Sequence, residues 1–207
     1  METMHSIISE CDLVILTGGY SKRMRYVFKG NLQIEGETFI NRLLKNLAPC
    51  FRRSFLIGSP SELTRYRRCD NLIISEDHYA GIGPLAGIMT AFELTDSEYV
   101  FLSPCDTPFM TRKVIDELYR VVTEYRSEIT IPVSNDRFYP LIGFYKRTVY
   151  SHIKTLIERD RYAIRFLFRL CQTAIVHFSN ASPFENINTW EDYERITGID
   201  GTLNKSG

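Results

Sequence analysis

Short apolar runs recur along the chain, and each is followed by a stripe of apolar residues at helical spacing. This alternation limits the possible fold more than any other feature. Residues 13–16, 54–57, 71–74, 99–102, 129–133, 140–145 and 174–178 read as strands, since β-branched and aromatic side chains fill them and the earliest are apolar throughout. Among the intervening segments, Phe39, Ile40, Leu43, Leu44 and Leu47 form one helical stripe, and Leu85, Ile88, Met89 and Phe92 a second. Val114, Ile115, Leu118, Val121 and Val122 form a third, and Val149, Ile153, Leu156 and Ile157 a fourth. A strand that is apolar on both sides must be covered on both sides, and parallel strands need a crossover long enough to hold a helix. The pattern predicts an α/β, doubly wound, mostly parallel mixed sheet with helices on both faces. The whole chain, 1–207, reads as one domain with a frayed tail at 198–207.

Charge narrows the function classes. Lys plus Arg and Asp plus Glu both number 25, so no net field draws the chain to nucleic acid or membrane. Any anion binding must come from a local cluster. Five cysteines, Cys11, Cys50, Cys69, Cys105 and Cys171, are odd in number and widely spaced. Without a C-x-x-C pair they argue against a disulfide framework or structural zinc, and they fit a reducing cytoplasm. No apolar run approaches the ~20 residues that span a bilayer. His5, His78, His152 and His177 have no ligand spacing and read as core or surface residues.

In an open parallel sheet, ligands bind beyond the carboxyl ends of the strands, near the point where strand order reverses. Polar residues cluster at several such ends here. After the first strand, Gly18 and Gly19 permit a sharp turn and close backbone approach, while Lys22, Arg23, Arg25 and Lys29 supply positive charge. The loop suits a polyphosphate, although neither G-x-x-x-x-G-K-[ST] nor G-x-G-x-x-G is present; the other reading is an ordinary turn with a solvated basic face. Asp106, at the mouth of an apolar strand, suits a Mg²⁺ ligand or a helix N-cap. The run GIGPLAG, with Gly83 and Pro84, suits either a flat base packed on backbone or a loop with unusual dihedrals. Asp77 can accept the paired N–H donors of a guanine edge, or simply cap a turn. Arg161, Arg165 and Arg169 recur every fourth residue, as on one helix face, and Phe138, Tyr139, Phe144, Tyr145, Phe166 and Phe168 read as core, with one ring free to stack on a ligand.

The segments LTGGYSKRM…K, DHYAGIGPLAGI, YVFLSPCDTPFM and FENINTWEDYERI, in this order, resemble the molybdenum cofactor guanylyltransferase family from about Asp12 to Ile196. The resemblance implies a nucleotide-diphosphosugar-transferase-like fold and transfer of GMP from Mg²⁺-GTP to the terminal phosphate of molybdopterin, with pyrophosphate released. It implies that Leu16, Thr17 and Gly18 line the GTP site, with Gly19, Arg23 and Lys29 beside the phosphates. It further assigns Asp77 to GTP, Asp106 to Mg²⁺, and Asn186 and Asn188 to the pterin side. Ser59 falls where the family has an asparagine. The implied partners are GTP, a molybdopterin or molybdenum-molybdopterin acceptor, and cofactor-delivery or molybdoenzyme proteins in transient contact, with no nucleic acid and no membrane.

Two departures from the family pattern fall in the first loop: Arg25 stands where the family has glycine, and Phe28 where it has aspartate. Arg23, Lys29 and Asp106 are the expected catalytic residues, acting by charge neutralisation and positioning. A transferase using CTP or another phosphorylated acceptor, and a nucleotide-binding homologue with impaired catalysis, are the alternatives that stay open.

Overall fold

The structure is a computed structural model that describes residues 8, 10–17, 28–64, 66–67, 71–79 and 81–198. Its centre is an eight-stranded sheet in the order β10-β7-β9-β6-β1-β4-β5, with β8 paired to β7. These strands are β1 (Cys11–Leu16), β4 (Ser54–Gly58), β5 (Leu72–Glu76), β6 (Tyr99–Pro104), β7 (Ile129–Ser134), β8 (Arg137–Phe138), β9 (Gly143–Lys146) and β10 (Thr173–His177). A separate two-stranded hairpin joins β2 (Gln33–Ile34) to β3 (Glu37–Thr38). β1 runs parallel to both β4 and β6, β4 to β5, and β10 to β7; β9 is antiparallel to β6 and β7. The chain passes outward from β1 through β4 to β5 and then returns to β6 on the other side of β1. The switch point therefore lies at β1.

The helices are α1 (Phe39–Leu47), α2 (Pro60–Leu63), α3 (Pro84–Leu94), α4 (Arg112–Tyr125), α5 (Val149–Glu158) and α6 (Trp190–Thr197). Alternation along the strands divides the core into two layers. Leu13, Ile15, Leu56 and Phe101 pack with Ile40, Leu43 and Leu47 of α1 and Ile115 and Leu118 of α4. Val14, Phe55, Ile57, Val100 and Leu102 pack on the other face with Leu85, Ile88 and Phe92 of α3 and Ile153 and Leu156 of α5. This is the doubly wound α/β class expected from the strand and helix periods. No helix among the described residues is long and apolar enough to cross a membrane.

A third, smaller apolar cluster holds the site together. Leu32, Ile34 and Phe39 meet Ile187 and Tyr193, with Phe109 and Trp190 packed against them. The Tyr193 hydroxyl donates to the Gln33 carbonyl at 2.7 Å. The segment after Lys29 is thereby fastened to α6, although the two lie far apart in sequence.

Several details differ from the periodicity. The run 140–145 is strand only from Gly143, because Tyr139 to Ile142 close a turn. The bend between β7 and β8 places Asn135 and Asp136 at φ 49° and 58°, the left-handed pair that a two-residue hairpin needs. Phe138 is 53% exposed, unlike the buried Phe144 and Tyr145, so it does not belong to the core. Arg161 precedes a 3-10 helix, Ile164–Arg169, and the three arginines do not share an α-helical face. Their guanidinium groups instead gather over the Phe166 ring, at 5.0, 5.0 and 6.0 Å from its centroid.

Candidate active site

A cavity of about 840 Å³ opens at the carboxyl ends of β1, β4, β5 and β6. Leu16, Ser59, Asp77, Gly83, Pro84, Asp106 and Asn186 all contribute to its wall. Its volume suits a nucleotide-sized ligand. Arg137, Phe138 and Tyr139 form another part of the wall, brought over by the β7–β8 hairpin.

Asp106 sits in the turn after β6, where the Cys105 N–H donates to the Leu16 carbonyl at 3.0 Å and ties this turn to the end of β1. The helix-cap reading of Asp106 does not hold, because α4 starts only at Arg112 after Thr111. Its Oδ2 instead accepts from Lys29 Nζ at 2.9 Å, in an ion pair whose side chains are 11% and 18% exposed. Lys29 Nζ also donates to Asn188 Oδ1 at 2.7 Å. Asn188 is fixed in turn by its N–H, which donates to Asp192 Oδ2 at 3.1 Å in the capping box of α6. The Ile187 N–H donates to the Asp106 carbonyl at 2.9 Å. Lys29, Asp106 and Asn188 thus form one connected unit drawn from three distant segments.

Asp106 Oδ1 and Asn186 Oδ1 are buried and have no hydrogen-bond partner among the described residues. An unpaired buried acceptor is costly, so such atoms call for a cation or donor. Two oxygen donors, one of them anionic, fit a hard divalent cation such as Mg²⁺ that takes its other ligands from phosphate and water.

The opposite wall is shaped by backbone. Gly83 has φ 75° and ψ −158°, open essentially to glycine alone, and leads into Pro84 at the first turn of α3. The unusual-dihedral reading of this loop holds, and Gly83 and Pro84 also lie on the cavity wall. Asp77 makes the turn contacts: its Oδ1 accepts from the Tyr79 N–H at 3.0 Å and the Thr90 hydroxyl at 3.1 Å. Asp77 also lies on the cavity wall.

Other expected residues have different placements. Thr17 is buried beneath the wall, its hydroxyl donating to Glu62 Oε2 at 2.9 Å and near the Ile57 carbonyl at 3.2 Å. A Cβ on Gly58 would stand 1.6 Å from Thr17 Oγ1, which explains a glycine at the end of β4. Ser59 donates its N–H to the same Glu62 carboxylate at 3.0 Å. Gly18, Gly19, Lys22, Arg23 and Arg25 lie outside the described residues. Cys105 touches the cavity, but burial, with Asp106 beside it, pushes its thiol far up, so it is no nucleophile at neutral pH. The sequence reading passed over Arg137 and Glu62; the turn pair Asn135-Asp136 and the Ser59–Glu62 capping spacing were the available signals.

By fold and site the chain is a nucleotidyltransferase. Residues 13–174 match the MobA-like NTP transferase domain, and the chain belongs to that family. A probable molybdenum cofactor guanylyltransferase of Halalkalibacterium halodurans is 36% identical over 191 residues, spanning 89% of this chain and 96% of that one. A protein of the same name from Clostridium perfringens is 31% identical, over 88% of this chain and 93% of its own. The crystal structure of molybdopterin-guanine dinucleotide biosynthesis protein A from Archaeoglobus fulgidus superposes with a TM-score of 0.75 at 20% identity, covering 91% and 97% of the two chains. That last likeness speaks for the fold.

Proposed function

We propose that this protein transfers GMP from Mg²⁺-GTP to the terminal phosphate of a molybdopterin-type acceptor and releases pyrophosphate, as a step in molybdenum cofactor biosynthesis. The observation that carries the reading is the Lys29–Asp106–Asn188 unit beside a nucleotide-sized cavity, with unpaired oxygens on Asp106 and Asn186. The names of the relatives support the choice of guanine nucleotide and acceptor.

An oxygen of the acceptor phosphate attacks the α-phosphorus of GTP; a new P–O bond forms, the α–β P–O bond breaks, and its electron pair leaves with pyrophosphate. An ionised phosphate needs no base, so the protein's contribution is alignment and charge. Lys29 lies beside the phosphates and opposes the charge that grows on the leaving group. Arg23, Gly18 and Gly19, which lie outside the described residues, would share this task. Asp106, with Asn186, would hold Mg²⁺, which when bound would draw charge from the phosphate oxygens. Gly83 and Pro84 face the base, Asp77 accepts from its edge, and Leu16 and Ser59 complete that wall. Asn188 orients Lys29 toward the acceptor side.

Calorimetric titration with GTP, CTP, ATP and UTP in Mg²⁺ tests the nucleotide, and pyrophosphate release with molybdenum-bearing molybdopterin tests the reaction. GTP is expected to bind most tightly, and Asp106→Ala to lose the Mg²⁺-dependent part of binding as well as turnover. Tighter binding of CTP, or Mg²⁺-dependent GTP binding that survives in Asp106→Ala, would overturn the reading.

A further inference from the structure

Glu128, His152 and Cys171 converge at the end of the sheet opposite the nucleotide cavity. Glu128 immediately precedes β7, and Cys171 lies just before β10, its parallel neighbour. β7 and β6 both run antiparallel to β9, so β7 begins at the edge far from Asp106. His152 projects from α5 onto the same corner. One ligand atom from each residue lies within 4.8 Å of the other two, and His152 Nε2 is 4.0 Å from Glu128 Oε1.

We propose that these three side chains form a binding site for a thiophilic divalent cation of the Zn²⁺ type, separate from the site of catalysis. A mixed sulfur, nitrogen and oxygen donor set selects Zn²⁺ over Mg²⁺, and three protein ligands leave one position for water. Tetrahedral Zn²⁺ holds its ligand atoms about 3.3–3.8 Å apart, so the corner must contract by up to ~1.5 Å. His152 is half-exposed and free to make that adjustment.

Two observations point to a ligand rather than to chance proximity. Cys171 is 8% exposed, and its thiol has no hydrogen-bond partner among the described residues although it lies beside two polar groups. Glu128 carries the outer contacts typical of a metal-bound carboxylate: the Thr148 hydroxyl donates to Oε1 at 2.6 Å and the Gln172 N–H to Oε2 at 3.0 Å. Burial, with Glu128 beside it, pushes the Cys171 thiol up to about 12. The free protein therefore holds S–H, and formation of the metal–sulfur bond sends one proton to solvent. The bound ion would join the starts of two strands to the helix that covers them. Spacings of 24 and 19 residues between the ligands fit no sequence motif, which is why only the fold reveals the set.

The test is titration of the full-length protein with Co²⁺ alone as a spectroscopic probe. One equivalent is expected to give a thiolate-to-cobalt charge-transfer band that Zn²⁺ displaces and excess Mg²⁺ does not. Cys171→Ser should abolish the band; His152→Gln and Thr148→Val should each weaken binding by about 10-fold or more. If Cys171→Ser fails to fold, His152→Gln at its half-exposed position decides the matter. A missing band, a band that persists in Cys171→Ser, or unchanged affinity in His152→Gln overturns the proposal. None of these readouts depends on nucleotide binding, so the two readings can fail separately.

Discussion

Uncoupling Lys29 from Asp106 should reveal how much of the site is held by charge. Their 2.9 Å separation gives a Coulomb attraction of about 6 kcal/mol at an effective dielectric of ~20. Desolvation of two largely buried groups offsets much of that, so the pair contributes little net stability as a unit. Removing one member alone is different, because the other is left as an uncompensated buried charge. Lys29→Met and Asp106→Asn should therefore each cost about 3–5 kcal/mol. In the second variant Lys29 keeps neutral amide acceptors at most and loses its counter-charge. The double variant should cost less than the two singles together, by about 2–3 kcal/mol. Urea denaturation at neutral pH measures all three: at a slope of ~2–3 kcal/mol/M, each single variant should move the midpoint down by about 1–2.5 M. Additive costs, or single-variant losses below ~1 kcal/mol, would refute the picture of a coupled buried pair. The same cycle qualifies the use of Asp106→Ala as a probe of catalysis, since loss of turnover must be measured where that variant is still folded.

The other tests address the frame around this pair. Asp12 is fully buried, with Arg53 and Arg52 at 3.0 and 3.3 Å, and the push of burial is outweighed by hydrogen bonds from Arg53, Thr95, Arg52 and Ser97, so its carboxyl lies below its ordinary value. Its stabilisation is complete above the unfolded carboxylate pKa of ~3.9 and is lost as pH falls through the lower folded value; Asp12→Asn should cost about 3–5 kcal/mol at pH 7, and a gap in denaturation midpoint that fails to narrow in strong acid contradicts this. Ile187→Ala opens a cavity in the cluster that fastens Lys29 to α6, and should lower stability by ~2–5 kcal/mol and weaken Mg²⁺-GTP binding, both measurable by calorimetry. Phe28→Asp, which restores the acid usual in the family, should destabilise by about 1–3 kcal/mol without tightening GTP; a 10-fold gain in affinity would count against that.

The main sheet was legible because its strands are apolar on both faces, so a periodicity argument could separate them from the helices. Leu13 and Ile15 point to one layer and Val14 to the other, and no tertiary knowledge is needed to see that both faces must be covered. The hairpin at residues 33–38 and helix α6 were not read as elements, since each is short and amphipathic only relative to the other. Ile187, Tyr193 and Phe39 bury together across a sequence gap that no window spans. Asp106 posed a related difficulty. Thr107 and Pro108 imitate a helix start, but the Thr107 hydroxyl donates to the Pro104 carbonyl at 2.9 Å and closes a turn instead. The aspartate is thereby left free for Lys29.

This arrangement also changes the meaning of Phe28. Read along the chain, the missing acid deprives Lys29 of a neighbour that could orient it. In three dimensions Lys29 already has two acceptors from distant segments, Asp106 and Asn188, and an adjacent carboxylate would compete with them. Phe28 is partly buried against the α1 and α4 layer, and its ring stands over Gly30, where a Cβ would meet Phe28 Cζ at 2.7 Å and Ile40 Cδ1 at 2.4 Å. The residue before the lysine is thus pinned by packing, and the residue after it is small enough to let that ring and α1 close over the backbone. Apolar burial sets where the lysine emerges, and the distant carboxylate and amide set where its charge ends. In this division of labour, the aspartate-to-phenylalanine departure removes one charge from the loop while preserving the placement of the cation that the proposed reaction would use.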